Sequence, residues 1–247
     1  MAHPKFLSIL IAGVFLLSGS TASGADSGFG KLAERQGKEL VWKTPPEQST
    51  SEMKRGDDVV NKLHAETGEE SGARFTIRKE GSVLMGSKSR FTFKNALFGP
   101  TGLLRELDLG IQWGIFRFSF VPTPLTPPKP DKAENREVRI KVSPTLGAEG
   151  PEIQLYGTDV YVEVEGEKGE IGATTVYVAE GAAAVTGSGE TVRVEAGHWT
   201  YVPWGKPPLS PRPLDPELWL GGGRPPDDWQ LSGPLWIDLF RRLDVPH

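Results

Sequence analysis

The residues best able to do chemistry in this 247-residue chain are few and widely spaced. Four histidines are present, His3, His64, His198 and His247. No two stand at HxxxH or HExxH spacing, and no loop alternates Asp, Asn and Gly as a calcium site does. Asp57 and Asp58 precede His64 in "RGDDVVNKLHAE". Nothing else there has ligand spacing, so these residues are expected to be solvated ahead of a strand. Cysteine is absent, which removes disulfides, thiolate ligands and a cysteine nucleophile. "GSGET", Gly187 to Thr191, has the form of a hairpin turn, not of a nucleophile elbow opening a helix. "GFGKLAERQGK" lacks the spacing of a phosphate loop. Asp159, Glu163 and Glu165 are close enough to form a carboxylate pair. Glu163 and Glu165 fall on the solvent side of an alternating strand, which leaves glycoside hydrolysis without support. The expectation is therefore a protein with no catalytic, metal or cofactor residues. What remains is recognition. "HWTYVPW" sets Trp199, Tyr201 and Trp204 close together, as a stacking face for sugars or a proline-rich peptide, or as a cap on the core.

The elements that must carry these residues read as strands. Phe75 and Ile77 alternate with Arg74, Thr76 and Arg78; Phe91 and Phe93 alternate with Arg90, Thr92 and Lys94. Phe116, Phe118 and Phe120 follow the same rule, as do Val138, Ile140 and Val142, then Val176 and Val178, then Val192 and Val194. Glycine turns such as "EGEKGEIG" and "EGAAA" separate them. "VPTPLTPPKPDKAEN", Val121 to Asn135, is too rich in proline for a helix or a central strand and predicts a stiff surface connection. No helical period appears between residues 70 and 205. The fold class is all-β, as a sandwich, a barrel or a β-solenoid.

One strand carries an irregularity. In "IQLYGTDVYVEV" the apolar positions are odd at Ile153 and Leu155 and even at Val160, Val162 and Val164. A strand has period two, so an uninterrupted one would send the two sets to opposite faces. A bulge or corner at Tyr156-Gly157 absorbs the extra residue, with glycine supplying a positive φ. Thr158 and Asp159 are then placed to bond freed backbone amides. The role of Gly157, Thr158 and Asp159 is geometry.

Both ends differ from the middle. Lys5, the apolar run from Phe6 to Leu17 and the small residues of "SGSTASGA" form a cleavable export signal over residues 1–25. The run is shorter than the roughly 20 residues a membrane span requires, so the mature chain is not expected to span one. Residues 26–54 read as a polar leader, partly ordered at best, and 55–205 as the β domain. Residues 206–247 form a Pro- and Gly-rich tail. Within it Leu235, Trp236, Leu239, Phe240 and Leu243 share one face of an amphipathic helix at about 234–244, which is expected to dock on the open end of its own domain, with an external partner that Trp236 and Phe240 would help to bind as the alternative. A net charge of −4 gives no basis for nucleic-acid or anionic-lipid binding.

The order of motifs resembles the FecR-type periplasmic domain family. "GDDVV", "ESGARFTI" and "GSVLMGSKSRFTF" are similar to that family's opening, G-D-x-V followed by a Ser-x-Ala strand and L-x-G-x-x-S-R. "EIQLYGTDVYVEV", "GATTVYVAEG" (closing on Gly181) and "VRVEAGHWTYVP" are similar to its V-R-G-T-x-F-x-V core and the two strands after it. The resemblance spans roughly residues 55–205. Tyr156 stands where the family has Arg. Regulatory members carry an anti-sigma segment and a transmembrane helix ahead of this domain, and here an export signal takes that place. The resemblance implies an elongated, solenoid-like fold. It also implies a sensing or protein-binding role in the periplasm or outside the cell, with an outer-membrane receptor or regulator of iron uptake as partner. A different class, an envelope scaffold or a module binding glycan or peptidoglycan through the 198–204 aromatics, is the alternative.

Overall fold

The computed structural model describes residues 28–37, 40–43, 51–100, 102–120, 137–143, 150–166 and 172–213, with the backbone alone at 40–43 and 158. The expected export signal, the expected helix at about 234–244, Trp236 and Phe240 lie outside these residues. Fifteen strands are present among them: β1 Gly30–Gln36, β2 Leu40–Lys43, β3 Ser51–Glu52, β4 Asp58–Val59, β5 Leu63–Thr67, β6 Gly72–Ile77, β7 Gly81–Met85 and β8 Ser89–Phe98. The others are β9 Leu104–Phe120, β10 Glu137–Val142, β11 Glu152–Val164, β12 Thr174–Gly187, β13 Glu190–Glu195, β14 His198–Val202 and β15 Arg212–Pro213. No helix occurs among the described residues, and so none that could cross a membrane.

All fifteen strands belong to one sheet, and three long strands fold it over on itself. β9 pairs with β8 and β10 along its first half, then with β7 and β11 along its second. β11 pairs with β10 and then with β9, while β12 pairs with β14 and then with β13. Two layers result. One runs β4-β1-β6-β7-β9-β11-β12-β14-β15, the other β3-β2-β5-β8-β9-β10-β11-β12-β13. They pack face to face through phenylalanines. Phe75 of the first layer lies 5.6 Å from both Phe91 and Phe93 of the second, and Phe91 lies 5.7 Å from Phe116. All five of Phe75, Phe91, Phe93, Phe116 and Phe118 are fully buried. Removing one such ring from a packed core costs about 3–5 kcal/mol.

Each long strand changes layer at a glycine with positive φ: Gly114 (105°), Gly157 (60°) and Gly181 (75°). Each also switches the parity of its buried positions there. β9 buries Leu107, Leu109 and Ile111, then Phe116, Phe118 and Phe120. β11 buries Ile153 and Leu155, then Val160, Val162 and Val164, with the register shifting between Tyr156 and Asp159. β12 buries Val176 and Val178, then Ala183 and Val185. A corner that crosses from one layer to the other must keep the same core on its inner side, and one extra residue in the left-handed region does this. At the β9 corner the freed amide of Ile115 donates to Ser89 Oγ at 3.0 Å, and the Ser89 amide donates to Thr67 Oγ1 at 3.1 Å. The serine of "GSKSR" thus satisfies backbone buried by the fold.

Three features differ from the sequence expectation. Every pairing among the described strands is antiparallel except β9 with β10. A solenoid would stack parallel rungs, whereas the pairing here describes a folded antiparallel sheet. The lone parallel pair is joined through residues 121–136, long enough for the crossover that parallel strands require. The 26–54 stretch contributes β1, β2 and β3, with Phe29 and Leu32 in the core, because β1 pairs with β6 over Lys31–Gln36. The sheet also continues past Gly205 to β15, whose Arg212 and Pro213 pair with Trp199 and His198.

Candidate functional site: an aromatic outer face

The outer side of the first layer carries a registered row of large side chains. Leu84 of β7 pairs with Arg117 of β9, Arg117 with Tyr161 of β11, Tyr161 with Tyr177 of β12, and Tyr177 with Trp199 of β14. Two tripeptides, Val160-Tyr161-Val162 and Val176-Tyr177-Val178, put valines into the core and tyrosines outward by simple alternation. The tyrosine rings lie 5.9 Å apart, and the Arg117 guanidinium sits 5.2 Å from the Tyr161 ring. Tyr161, Ala179 and Trp199 pack around Tyr177, which is 8% exposed. Cross-strand aromatic pairs and a guanidinium over a ring each add a fraction of a kcal/mol to about 1 kcal/mol.

An ion pair braces this row. Arg117 Nε donates to Asp159 Oδ1 at 2.8 Å and Nη2 to Oδ2 at 2.6 Å, with both side chains 14% exposed. Burial opposes the Arg117 charge. The Asp159 hydrogen bond and the electrostatic influence of Tyr161, Asp159 and Glu180 together outweigh it, and the guanidinium pKa is raised. Asp159, expected to bond backbone amides, instead spends its carboxylate on Arg117 across the β9–β11 pair. Its register partners are Ser119 and Glu180. The side chain of Thr158 lies outside the described residues.

Glu163 also departs from expectation. It lies on the outer side, between Ile115 and Thr175 in register, but it is not a freely solvated carboxylate. Burial, and then the Glu165 charge, push its carboxyl up to about 7. Burial raises the pKa of Tyr161, Tyr177 and Tyr201 as well. Titratable groups on this face therefore sit in a medium poorer in water than an open sheet surface.

The aromatics singled out in sequence separate in space. Trp199 and Tyr201 alternate on β14, so both face outward with Tyr161 and Tyr177. Trp204 turns elsewhere, its ring edge packing where a Cβ on Gly150 would stand. Gly157 and Gly181 are the corner residues of β11 and β12. The sequence reasoning missed Arg117, Tyr161 and Tyr177. The twice-repeated Val-Tyr-Val was the available signal. Among residues weighed as metal ligands, Asp58 is paired to Lys31 at 2.8 Å, Asp57 accepts from the Lys54 amide at 2.8 Å, and His64 Nδ1 lies 2.7 Å from Thr92 Oγ1. No group of three metal-binding side chains gathers among the described residues.

The outer side of the second layer is different in kind. Arg139 lies 2.9 Å from Glu106, 3.2 Å from Asp108 and 3.6 Å from Glu137, and Lys141 lies 3.4 Å from Glu152. Tyr156 sits there with 46% exposure, under Arg193 at 5.7 Å. The two faces are thus a charged one and an aromatic one.

No family model matches the chain, and no curated protein matches it. Two crystal structures of a candidate anti-sigma factor from Parabacteroides distasonis, at 1.65 and 2.50 Å resolution, are similar to it at 9% sequence identity and a TM-score of 0.47. The likeness covers 64% of this chain and 63% and 62% of those chains, so the chain spans a little under two thirds of their length.

Proposed function

We propose that this chain is an exported, non-enzymatic binding or sensing module of a bacterial envelope, acting in the periplasm or outside the cell. Its binding surface is the aromatic outer face. The observation that carries this reading is the registered row Arg117–Tyr161–Tyr177–Trp199, braced by the bidentate Arg117–Asp159 pair. A sheet on which the part-exposed rings of Tyr161 and Trp199 flank the buried Tyr177, beside a fixed guanidinium, has the composition of a protein-binding hot spot. Both Asp159 oxygens are engaged, which supports a positioning role for that carboxylate over a catalytic one. The export signal and the FecR-like order of motifs favour an envelope protein as partner, within signalling of the kind linked to outer-membrane receptors and iron uptake. The aromatic rings also favour a second reading, stacking on a glycan such as peptidoglycan. The test is retention of envelope extract on the immobilised mature protein. Specific protein in the eluate, lost with Trp199→Ser, supports the first reading. Polysaccharide in its place supports the second. An eluate that Trp199→Ser leaves unaltered removes the face from both.

A further inference from the structure

Among the described residues, β3, β4, β13 and β15 pair with a strand on one side only. Three of these edges are blunted by length, since β3, β4 and β15 have two residues each. β13 is the exception. All six of its residues pair with β12, and its other side meets no described strand. The adjoining edge of β14 is closed by the chain itself, through β15 and through the Leu209 amide, which donates to the Tyr201 carbonyl at 2.9 Å. Nothing comparable closes β13 among the described residues.

The turn into β13 decides which of its backbone groups are free. Ser188 and Gly189 form a two-residue turn with φ of 48° and 81°, as a type I′ hairpin requires. Its closing pair, Gly187 with Glu190, is then a hydrogen-bonded pair, and such pairs recur at every second residue. Glu190, Val192 and Val194 therefore bond to β12. The amides and carbonyls of Thr191, Arg193 and Glu195 point away from it, as a row of alternating donors and acceptors. The side chains of these same three residues are exposed, whereas Val194 is in the core and the partly buried Val192 packs against it.

Charge selects the occupant. Arg193 and Glu195 stand two residues apart on one face and pair with each other in the exposed surface. A strand with this pattern complements its own antiparallel copy in one register. About a two-fold axis at Val194, Arg193 faces Glu195 of the second copy, and Glu195 faces the second copy's Arg193. Both are hydrogen-bonding positions, so each opposed pair exchanges two backbone bonds as well as opposite charges. Val194 meets its counterpart on the core side, and Val192 gains cover from Ala196 of the second copy. An axis at Arg193 would oppose two guanidiniums. An axis at Val192 would oppose Arg193 to Thr191 and leave the carboxylate of Glu195 opposite Gly189.

We infer that β13 pairs antiparallel with β13 of a second copy about an axis at Val194, so that the second layer continues across two chains. A seam of one short strand falls below the roughly 1,200 Å² at which specific interfaces become stable, so the dimer dissociates on dilution. The inference does not rest on the aromatic face, which lies on the other layer.

The test uses the full mature chain, in which the absence of cysteine makes single-cysteine variants clean probes. Arg193→Cys and Glu195→Cys are mixed in equal amounts and oxidised. In the inferred register these positions oppose each other at about 5.5 Å between Cα atoms, within disulfide range. The mixed 193–195 disulfide should be the main product, because that pair also keeps one Arg193–Glu195 contact between copies. Glu69→Cys, exposed and away from this edge, sets the background of random collision. Sedimentation of the unmodified protein over a concentration series should show a monomer–dimer equilibrium. Arg193→Glu opposes like charges at both ends of the seam and should weaken it about tenfold. Arg193→Glu combined with Glu195→Arg should return it to wild-type strength. A main product of 193–193 disulfide, a yield no higher than that of Glu69→Cys, or a dimer that Arg193→Glu leaves unchanged overturns the inference. So does a protein that stays monomeric at every concentration, whether exchange of the Thr191, Arg193 and Glu195 amides then shows the edge open, covered by a strand of another protein, or covered by this chain's own residues after Pro213. No envelope component enters the association measurement, so its failure leaves the envelope-binding proposal to its own test.

Discussion

Gly114→Ala tests the corner mechanism at its tightest point. Gly114 has φ of 105°, a conformation L side chains rarely adopt. Holding a non-glycine residue in such a region costs about 1–3 kcal/mol. Space adds a second cost. An added Cβ would stand 2.5 Å from the Ser89 Cα, and closer still to its side chain. Ser89 cannot move away cheaply. Its Oγ accepts from Ile115, its amide donates to Thr67, and β8 pairs on both sides. Overpacking of this kind costs about 1–3 kcal/mol, so the expected loss is about 3–5 kcal/mol. That is a large share of the roughly 5–15 kcal/mol by which domains are stable. At about 2–4 °C per kcal/mol for a chain of this size, melting should fall by about 10 °C. Gly189→Ala is the matched control, because Gly189 also has positive φ, 81°, but its Cβ would meet nothing within 4 Å. It should lose about 1 kcal/mol. Thermal melts of both variants by circular dichroism decide the matter. If they melt together, the close approach to Ser89 does not hold the corner and the reasoning is wrong.

Arg117→Met should destabilise by about 3 kcal/mol, because it leaves the Asp159 carboxylate buried and unpaired. Combining it with Asp159→Leu should recover most of that loss, which urea titration of the three variants would show. Glu163 sets a pH dependence. Its folded pKa of about 7 lies above the ordinary 4.5, so the native state binds the extra proton between those values. Stability should be highest at the acid side of that window, fall as pH rises through it by up to about 3 kcal/mol, and level above it. Glu163→Gln should flatten this component of the stability profile between pH 4.5 and 7. Gly157→Val should cost about 2 kcal/mol or more through its φ of 60°, and a variant melting with the parent would contradict the corner at β11.

Much of the architecture follows from patterns local to a few residues. Alternation marks the strands that hold Phe75, Phe91, Phe93, Phe116 and Phe118, and a change of parity between Leu155 and Val160 marks a corner. The same change between Ile111 and Phe116 marks another at Gly114, where "LGIQWGIF" hides it among apolar residues on both sides. β1 carries little local signal. Leu32 is its only large buried side chain, with Phe29 just ahead of it, and its place depends on β6, some 40 residues later. The site was half readable for a similar reason. Trp199 and Tyr201 advertise themselves by alternation within one strand. Arg117 and Asp159 each look like an ordinary outward residue, and only the β9–β11 register joins them across 42 positions. Glu163 follows the pattern of a solvent-facing carboxylate, and it is the crowding of the assembled face that desolvates it.

The most direct test of the central claim is retention of envelope components by three mature proteins: wild type, Tyr161→Ser with Trp199→Ser, and Tyr156→Ser on the charged face. Each is first shown to be folded. The aromatic face as binding surface predicts that wild type retains an envelope component. The Tyr161/Trp199 variant should retain little, and Tyr156→Ser should match wild type. Equal retention by wild type and the Tyr161/Trp199 variant, or its loss in Tyr156→Ser alone, would contradict the account.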